Sequence, residues 1–257
     1  MDTQYTIETI TAYYKWTPKL LSFCTSRDSL YHFQAGQFAR LGVSDGQKIV
    51  WRAYSMVSAP CDKQLEFCSI VIPNGEFTTV LARLDVGDTI YIDKRAFGFL
   101  TLERFSHGGE LWLMATGTGI APFLSILCDP EVWNRFEHIV LVCSVREAAE
   151  LVYQNRLQQL YHHDVFGKMV QHKFRYVNSV TRQSVAGTYR QRITSLLEQS
   201  ILERDLGLPI VPERSRVMIC GNPFMVRDIR KLLQLRGLTM SRLAQPGNMV
   251  VEQFWQG

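Results

Sequence analysis

The sequence has few cysteines, little net charge and no long apolar run, and each shortage excludes a class of protein. Six cysteines are scattered through 257 residues. None forms a C-x-x-C pair or another spacing typical of zinc or iron–sulfur ligands. We therefore expect no bound metal, and we expect reduced cysteines in a cytoplasmic protein.

The small net charge and the absence of a long apolar run also exclude classes of partner. Lysine and arginine number 28 against 24 aspartates and glutamates, a net charge of +4. No dense basic run occurs, so we expect no nucleic acid partner and at most a local patch for an acidic protein. No apolar stretch approaches the length of a membrane span, and the first ten residues lack the features of a signal or transit peptide. We expect no membrane partner.

Two patterns of secondary structure divide the chain. The first part alternates short β-like runs with turns, which is typical of an antiparallel barrel or sandwich. The later part alternates strands with helices, which favours a parallel sheet covered by helices on both faces. We therefore predict two domains, residues 1–106 and 107–257. The predicted strands are 4–14, 19–24, 37–41, 47–57, 64–72, 88–93, 110–115, 138–145, 173–180 and 215–221. The predicted helices are 121–128, 147–161 and 222–237.

Two segments of the first domain are candidates for binding a diphosphate. Arg52 begins the segment RAYSMVSAP after a strand-like run, where a single arginine could simply lie at a sheet edge. The segment 73–84 predicts a short helix that begins near Gly75, with free N–H groups and the Thr78 hydroxyl at its start. An ordinary capped helix explains this pattern equally well. If Arg52 faces the helix start, the two could bind a diphosphate together.

The second domain has candidate sites where strands end. In ATGTGIAPF (115–123), Gly117 and Gly119 could admit a ligand close to the backbone, or could simply form a tight turn. In MICGNPFMV (218–226), Cys220 could be a small buried residue or could line a reacting ring. Arginines beyond strand ends could be solvated, or could bind an extra phosphate such as the 2′-phosphate of NADP. They are Arg146, Arg182, Arg190 and Arg192.

The last residues, VVEQFWQG, have two interpretations. They could form a final strand packed on the core. Alternatively, Phe254 and Trp255 could cover a flat cofactor by stacking.

Taken in order, these motifs resemble the bacterial type of ferredoxin/flavodoxin–NADP⁺ reductase. The motifs are RAYS (52–55), GEFT (75–78), GTGIAP (117–122), CGNP (220–223) and the aromatic tail. The resemblance implies a six-stranded antiparallel barrel that binds FAD and a five-stranded parallel sheet that binds NADP(H). It implies hydride transfer between NADP(H) and FAD, and single-electron transfer between FAD and ferredoxin or flavodoxin.

The resemblance also implies site residues. Ser55, Cys220 and Glu252 would surround the reacting rings. The FAD would contact Arg52, Ala53, Tyr54, Ser55, Cys68, Ser69, Ile70, Val71, Gly75, Glu76, Phe77, Thr78, Phe254 and Trp255. The NADP(H) would contact Gly117, Thr118, Gly119, Val145, Arg146, Thr181, Arg182, Arg192, Gly221 and Asn222.

The partner would be an acidic one-electron carrier, which fits the slight basic excess. Two other functions stay open, namely an NADPH-dependent reductase for an oxygenase or free flavin, and a non-catalytic NADP(H)-binding module. We expect a monomer. Candidate residues for a basic docking patch are Lys15, Lys19, Arg83, Lys94 and Arg95.

Overall fold

The computed structural model describes residues 4–242 and 244–253, and it begins with a six-stranded antiparallel sheet of order β4-β3-β6-β1-β2-β5. Side chains alternate between the faces of a strand. Ala39, Leu41 and Val43 of β3 are therefore fully buried, whereas Arg40 is exposed. The strands are β1 (Tyr5–Lys15), β2 (Leu20–Thr25), β3 (Phe38–Ser44), β4 (Ile49–Ser55), β5 (Leu65–Ile70) and β6 (Thr89–Phe97).

The sheet curls until its two edge strands meet, which makes it a barrel. Just beyond β4, Met56 forms a bridge with Phe67, and the Val57 N–H donates to the Glu66 carbonyl at 2.8 Å. A short helix, α1 (Glu76–Leu81), follows β5 and buries Phe77 in the barrel core. The start of this helix thus lies beside β4.

The second sheet is parallel, with order β11-β10-β7-β8-β9. Both of its faces are covered, so its strands read as nearly continuous apolar runs. In β7, Leu111 and Leu113 pack into one core cluster and Trp112 and Met114 into the other. The strands are β7 (Glu110–Thr116), β8 (His138–Val145), β9 (Phe174–Val180), β10 (Ser215–Gly221) and β11 (Met249–Gln253).

Helices and turns connect these strands. Asp129 caps α3 and Asn222 caps α8, each accepting a hydrogen bond from a backbone N–H, and a proline follows each cap. The helices after α1 are α2 (Ala121–Leu127), α3 (Pro130–Arg135), α4 (Gln154–Gln159), α5 (Gly167–Lys173), α6 (Ile193–Glu198), α7 (Ile201–Leu206) and α8 (Pro223–Leu235). None of the described helices is long and apolar enough to span a membrane.

The predicted continuous helix over 147–161 is wrong. Residues Ala148–Glu150 form a single 3-10 turn, and α4 begins only at Gln154. The Glu150 carboxylate accepts the Arg146 N–H at 2.8 Å and completes a capping box with Glu147. These side-chain bonds compete with the helical ladder. As a result Tyr153 lies outside the helix, with a backbone φ of −101° and ψ of 11°.

Polar contacts join the barrel to the parallel sheet. Arg156 of α4 forms an ion pair with Glu66 of β5 and donates to the Val57 carbonyl at 3.2 Å. The buried Ser125 hydroxyl of α2 donates to the Ser58 carbonyl at 2.6 Å. These contacts fix how the two halves pack. The predicted boundary at 106/107 falls between β6 and β7 and stays a prediction.

We expect Arg156→Met to lower the free energy of unfolding by about 2 kcal/mol, because it leaves the half-buried Glu66 carboxylate without its partner. Urea unfolding measures this change. Arg204→Met is the control, since Arg204, within the part of the chain that the structure describes, pairs only with its exposed neighbour Asp205, and it should cost less than about 0.5 kcal/mol. Equal losses in the two variants would contradict a special role for Arg156.

Candidate functional site

A cleft of about 670 Å³ lies between β5 of the barrel and the carboxyl edge of the parallel sheet. Parallel strands all end at the same edge, so loops distant in sequence converge there. Eleven of the predicted site residues line this cleft: Cys68, Ile70, Gly117, Thr118, Val145, Arg146, Thr181, Arg182, Arg192, Gly221 and Asn222.

The two glycines of the turn after β7 have different roles. Gly117 adopts a left-handed φ of 54°, and a Cβ there would lie 3.8 Å from Ile70. Because that contact would be an ordinary one, the left-handed backbone is what favours glycine at position 117. A Cβ on Gly119 would lie 2.3 Å from the Cys220 carbonyl oxygen. Gly119 thus permits the turn to pack on β10, and it does not line the cleft as its motif suggested.

Three arginines give the cleft a cationic wall. Arg146 follows β8, Arg182 follows β9, and Arg192 precedes α6. All three are exposed, and among the described residues none forms an ion pair with a carboxylate. Arg190, also a candidate, lies outside the cleft lining. Uncompensated guanidinium groups at one site suit a phosphate.

On the barrel side, Arg52 lies beside the start of α1, as the diphosphate hypothesis requires. Its guanidinium is 3.8 Å from the Glu76 carboxylate, and Lys48 lies 3.5 Å from the same carboxylate. The Tyr54 ring packs on Phe77 with centroids 5.2 Å apart, and its hydroxyl is 2.9 Å from the Ser69 hydroxyl. Arg52 and the helix start therefore face one space.

The Thr78 hydroxyl has a structural role that the sequence did not indicate. It accepts from the Ile72 N–H at 3.0 Å and donates to the Ile72 carbonyl at 3.2 Å. These bonds close the turn before α1 and position Gly75 and Glu76. The Val71 N–H is likewise bonded, to the Lys19 carbonyl at 2.7 Å.

The three predicted catalytic residues come together where the barrel meets β10 and β11. The Ser55 hydroxyl donates to the Glu252 carboxylate at 3.1 Å, and Cys220 is the register partner of Glu252. Burial raises the pKa of Glu252 to about 7, and the Ser55 hydrogen bond lowers it only partly. Burial, and next Glu252, raise the pKa of Cys220 well above its ordinary value. Near neutral pH Cys220 is therefore uncharged, whereas Glu252 is partly ionised.

The other predictions have mixed outcomes. The last strand, β11, agrees with the interpretation of the tail as a strand packed on the core, while Phe254 and Trp255 lie outside the described residues. Ala53 is exposed on β4. Two of the basic docking candidates lie at opposite ends of β1, because the Lys94 N–H donates to the Gln4 carbonyl before the strand begins and Lys15 ends the strand. The docking patch stays a prediction.

The sequence analysis missed several residues that line the cleft. Phe224 and Met225 belong to the motif MICGNPFMV, which assigns them no role, and Lys19 is a candidate only for the docking patch. The others lie outside the predicted motifs. The missed residues are Thr17, Lys19, Ser144, Glu150, Tyr153, Thr194, Phe224, Met225 and Asp228.

The donors present fit two dinucleotides. Arg52 and the α1 start offer a diphosphate site next to an aromatic pair, and the cleft offers guanidinium groups beside a glycine turn. Among the described residues, no three His, Cys, Asp or Glu side chains lie in a group that could hold a metal ion.

Comparison with known proteins agrees with this division. The sequence model of the oxidoreductase FAD-binding domain matches residues 16–94, and that of the oxidoreductase NAD-binding domain matches residues 113–231. A solved ferredoxin NADP⁺ reductase from Neisseria gonorrhoeae, with bound FAD and NADP, is 40% identical. It superposes with a TM-score of 0.91 over 99% of this chain and 100% of that chain.

Curated relatives share nearly the whole sequence. Ferredoxin–NADP reductase A of Sorangium cellulosum is 41% identical over 98% of this chain and 91% of its own length. Flavodoxin/ferredoxin–NADP reductase of Escherichia coli is 40% identical over 96% of this chain and 97% of its own length. The predicted fold class and the predicted FAD and NADP(H) binding are confirmed. The chain belongs to the ferredoxin/flavodoxin–NADP reductase family.

Proposed function

We propose that this protein transfers hydride between NADP(H) and FAD, and single electrons between FAD and a ferredoxin or flavodoxin. The observation that carries the proposal is the Ser55–Glu252 hydrogen bond of 3.1 Å, which joins the barrel to the last strand of the parallel sheet. This bond supports the proposal because it joins Ser55 of the segment RAYS to Glu252, the register partner of Cys220. Bound FAD supplies the conversion between two-electron and one-electron chemistry.

On the barrel side, the chain's task is to hold and orient FAD. Arg52 and the N–H groups at the start of α1 would neutralise the diphosphate. Tyr54 would pack against the flavin, its orientation fixed by Phe77 and by the Ser69 hydroxyl. Burial raises the pKa of Tyr54 to about 12, so the phenol stays neutral beside the ring.

On the cleft side, the chain selects the nucleotide. Arg182 and Arg192 would bind the 2′-phosphate, and Thr118 with Gly117 would hold the nicotinamide end against the barrel. Because orientation and exclusion of water are the main requirements of hydride transfer, the fixed packing of the two halves is itself part of the machinery.

Around the reacting rings, the Glu252 carboxyl would accept the hydrogen bond that the Ser55 hydroxyl donates. A pKa near 7 leaves the carboxyl partly protonated at neutral pH, so it can donate or accept. Cys220 stays a thiol and contributes bulk without charge.

The same proposal includes the electron-transfer partner, the oligomeric state and the cellular compartment. The carrier would be a separate, acidic ferredoxin or flavodoxin, docking by charge complementarity. We further propose a monomer in the cytoplasm.

The purified protein should be yellow, and NADPH should bleach its flavin absorption bands. Stopped-flow absorbance with flavodoxin, ferredoxin and free FMN as acceptors tests the carrier. A faster reaction with free FMN would favour the alternative reductase function. A colourless protein that FAD cannot reconstitute would instead indicate a non-catalytic nucleotide-binding module.

Arg182→Ala and Arg192→Ala should each reduce the preference for NADPH over NADH by about tenfold or more, since each removes a charged hydrogen-bond donor. The measurement is kcat/KM with both nucleotides. Arg190→Ala is the matched control, because Arg190 neighbours Arg192 in sequence but does not line the cleft. An unchanged preference in the first two variants would refute the 2′-phosphate assignment.

Glu252 should also make stability depend on pH. The folded state raises its pKa from 4.5 to about 7, so its stabilising contribution is present below pH 4.5 and is lost as pH rises through about 7. The side chain introduced by Glu252→Gln cannot ionise. The stability of this variant relative to the wild type should therefore increase as pH rises from 4.5 to about 7.

Urea unfolding at a series of pH values measures that difference. Glu198→Gln removes an exposed glutamate and should show a flat difference from the wild type. A flat difference for Glu252→Gln as well would mean that the carboxyl does not gain its proton on folding.

A further inference from the structure

A second cavity, of about 290 Å³, lies at the end of β6 and is lined by an exposed phenylalanine and two arginines. Phe99 is 63% exposed, and the Arg104 guanidinium lies over its ring, 4.4 Å from the centroid. Among the described residues that line this cavity, the guanidinium groups of Arg104 and Arg242 outnumber the one carboxylate, that of Glu103. The cavity is therefore cationic, with an apolar ring at its rim.

The end of β6 extends this surface. Side chains two residues apart lie on the same face of a strand, so Arg95 and Phe97 lie together. The Arg95 guanidinium is 5.5 Å from the centroid of the Phe97 ring. Its nearest carboxylate, Asp93 at 3.9 Å, is shared with Arg40 at 3.7 Å, so one negative charge faces two positive ones. We name this surface the Arg–Phe face and define it as Arg95, Phe97, Phe99, Arg104 and Arg242.

The Arg–Phe face borders the Ser55–Glu252 pair. Phe97 is the register partner of Phe38, and Phe38 is the register partner of Ser55. Directly opposed side chains of antiparallel strands lie on one face of the sheet, and the two phenylalanine rings stack with centroids 5.8 Å apart. A Cβ on Gly98 would lie 3.1 Å from the Glu252 carboxylate. The face therefore begins where the reacting rings are proposed to meet.

The chemistry of the Arg–Phe face fits one kind of partner. Aromatic residues and arginine dominate the binding energy of protein interfaces, and positive charge steers an acidic protein toward its site. A carrier that exchanges single electrons with the flavin has to approach the reacting rings. None of the five residues of the face lines the NADP(H) cleft, so a protein docked there would leave the nucleotide in place.

We propose that the acidic one-electron carrier docks on the Arg–Phe face, and that it can do so while NADP(H) occupies the cleft. This inference rests on the proposed function. It retains Arg95 among the docking candidates of the sequence and replaces Lys15 and Lys19, which lie at the other end of the barrel sheet's β1, with Phe99, Arg104 and Arg242.

Two variants test the docking surface. Phe99→Ala removes the exposed ring and Arg104→Glu reverses a charge, so each should raise the KM for the carrier roughly 5- to 10-fold. The assay is NADPH-driven reduction of flavodoxin or ferredoxin, whichever the wild type reduces faster. Bleaching of the flavin by NADPH alone should keep its wild-type rate, because neither residue lines the cleft.

A matched control reverses an arginine elsewhere. Arg175 is exposed at the start of β9, which is the opposite edge strand of the parallel sheet from β11. Arg175→Glu should keep the wild-type KM for the carrier. Thermal midpoints show that the variants are folded, and Phe99→Ala tests the face even if Arg104→Glu does not fold, since its lost ring is mostly exposed.

A binding measurement tests whether the two sites are separate. The carrier is titrated calorimetrically into the FAD-loaded wild type, with and without saturating NADP⁺, and its affinity should be the same in both titrations. A loss of carrier affinity on addition of NADP⁺ would place the carrier over the cleft and overturn the inference.

The remaining outcomes have distinct meanings. A wild-type KM for the carrier in both Phe99→Ala and Arg104→Glu overturns the inference. A wild-type dimer that Phe99→Ala dissociates in sedimentation, with an unchanged KM, would make the face an interface between two copies of this chain and also overturn it. A wild type that reduces free FMN but neither flavodoxin nor ferredoxin would defeat the proposed function, and this inference with it.

Discussion

The packing of the barrel against the carboxyl edge of the parallel sheet is the constraint on which the site depends. Neither half contains the site alone, because Ser55 belongs to β4 and Glu252 to β11. The buried Ser125–Ser58 bond and the Arg156–Glu66 ion pair hold the halves in one arrangement. Hydride transfer requires ring contact at van der Waals distance, so a rigid joint between the two halves contributes to catalysis through orientation.

Charge is distributed unevenly along the joint, and the distribution suits the proposed chemistry. Cationic groups lie at both ends, at Arg52 on the barrel and at Arg182 and Arg192 beyond the sheet. Between them, the buried Cys220 keeps its proton near neutral pH, and the partly buried Glu252 is partly protonated. Phosphates would thus be bound in polar surroundings, while the rings would meet in a region of low dielectric where electrostatic effects are strong.

The sequence predicted the strands better than the helices, for a physical reason. The strands β8 and β10 are buried on both faces, so their apolar runs stand out and their predicted limits agree with the structure. The segment 147–161 has helical periodicity, but the Glu150 carboxylate diverts the backbone into a 3-10 turn. The predicted site residues include eleven that line the cleft. Tyr153 could not be located, because its position depends on that broken helix.

The hydroxyl groups around the site show a common pattern that separates fold from function. Thr78 closes the turn before α1, Thr116 accepts the Asn222 N–H at 2.9 Å, and Ser69 holds Tyr54. These groups satisfy the protein's own backbone and side chains, so their loops are already ordered before a ligand arrives. Among the described residues, the guanidinium groups of Arg146, Arg182 and Arg192 form no ion pair and would be available to phosphates.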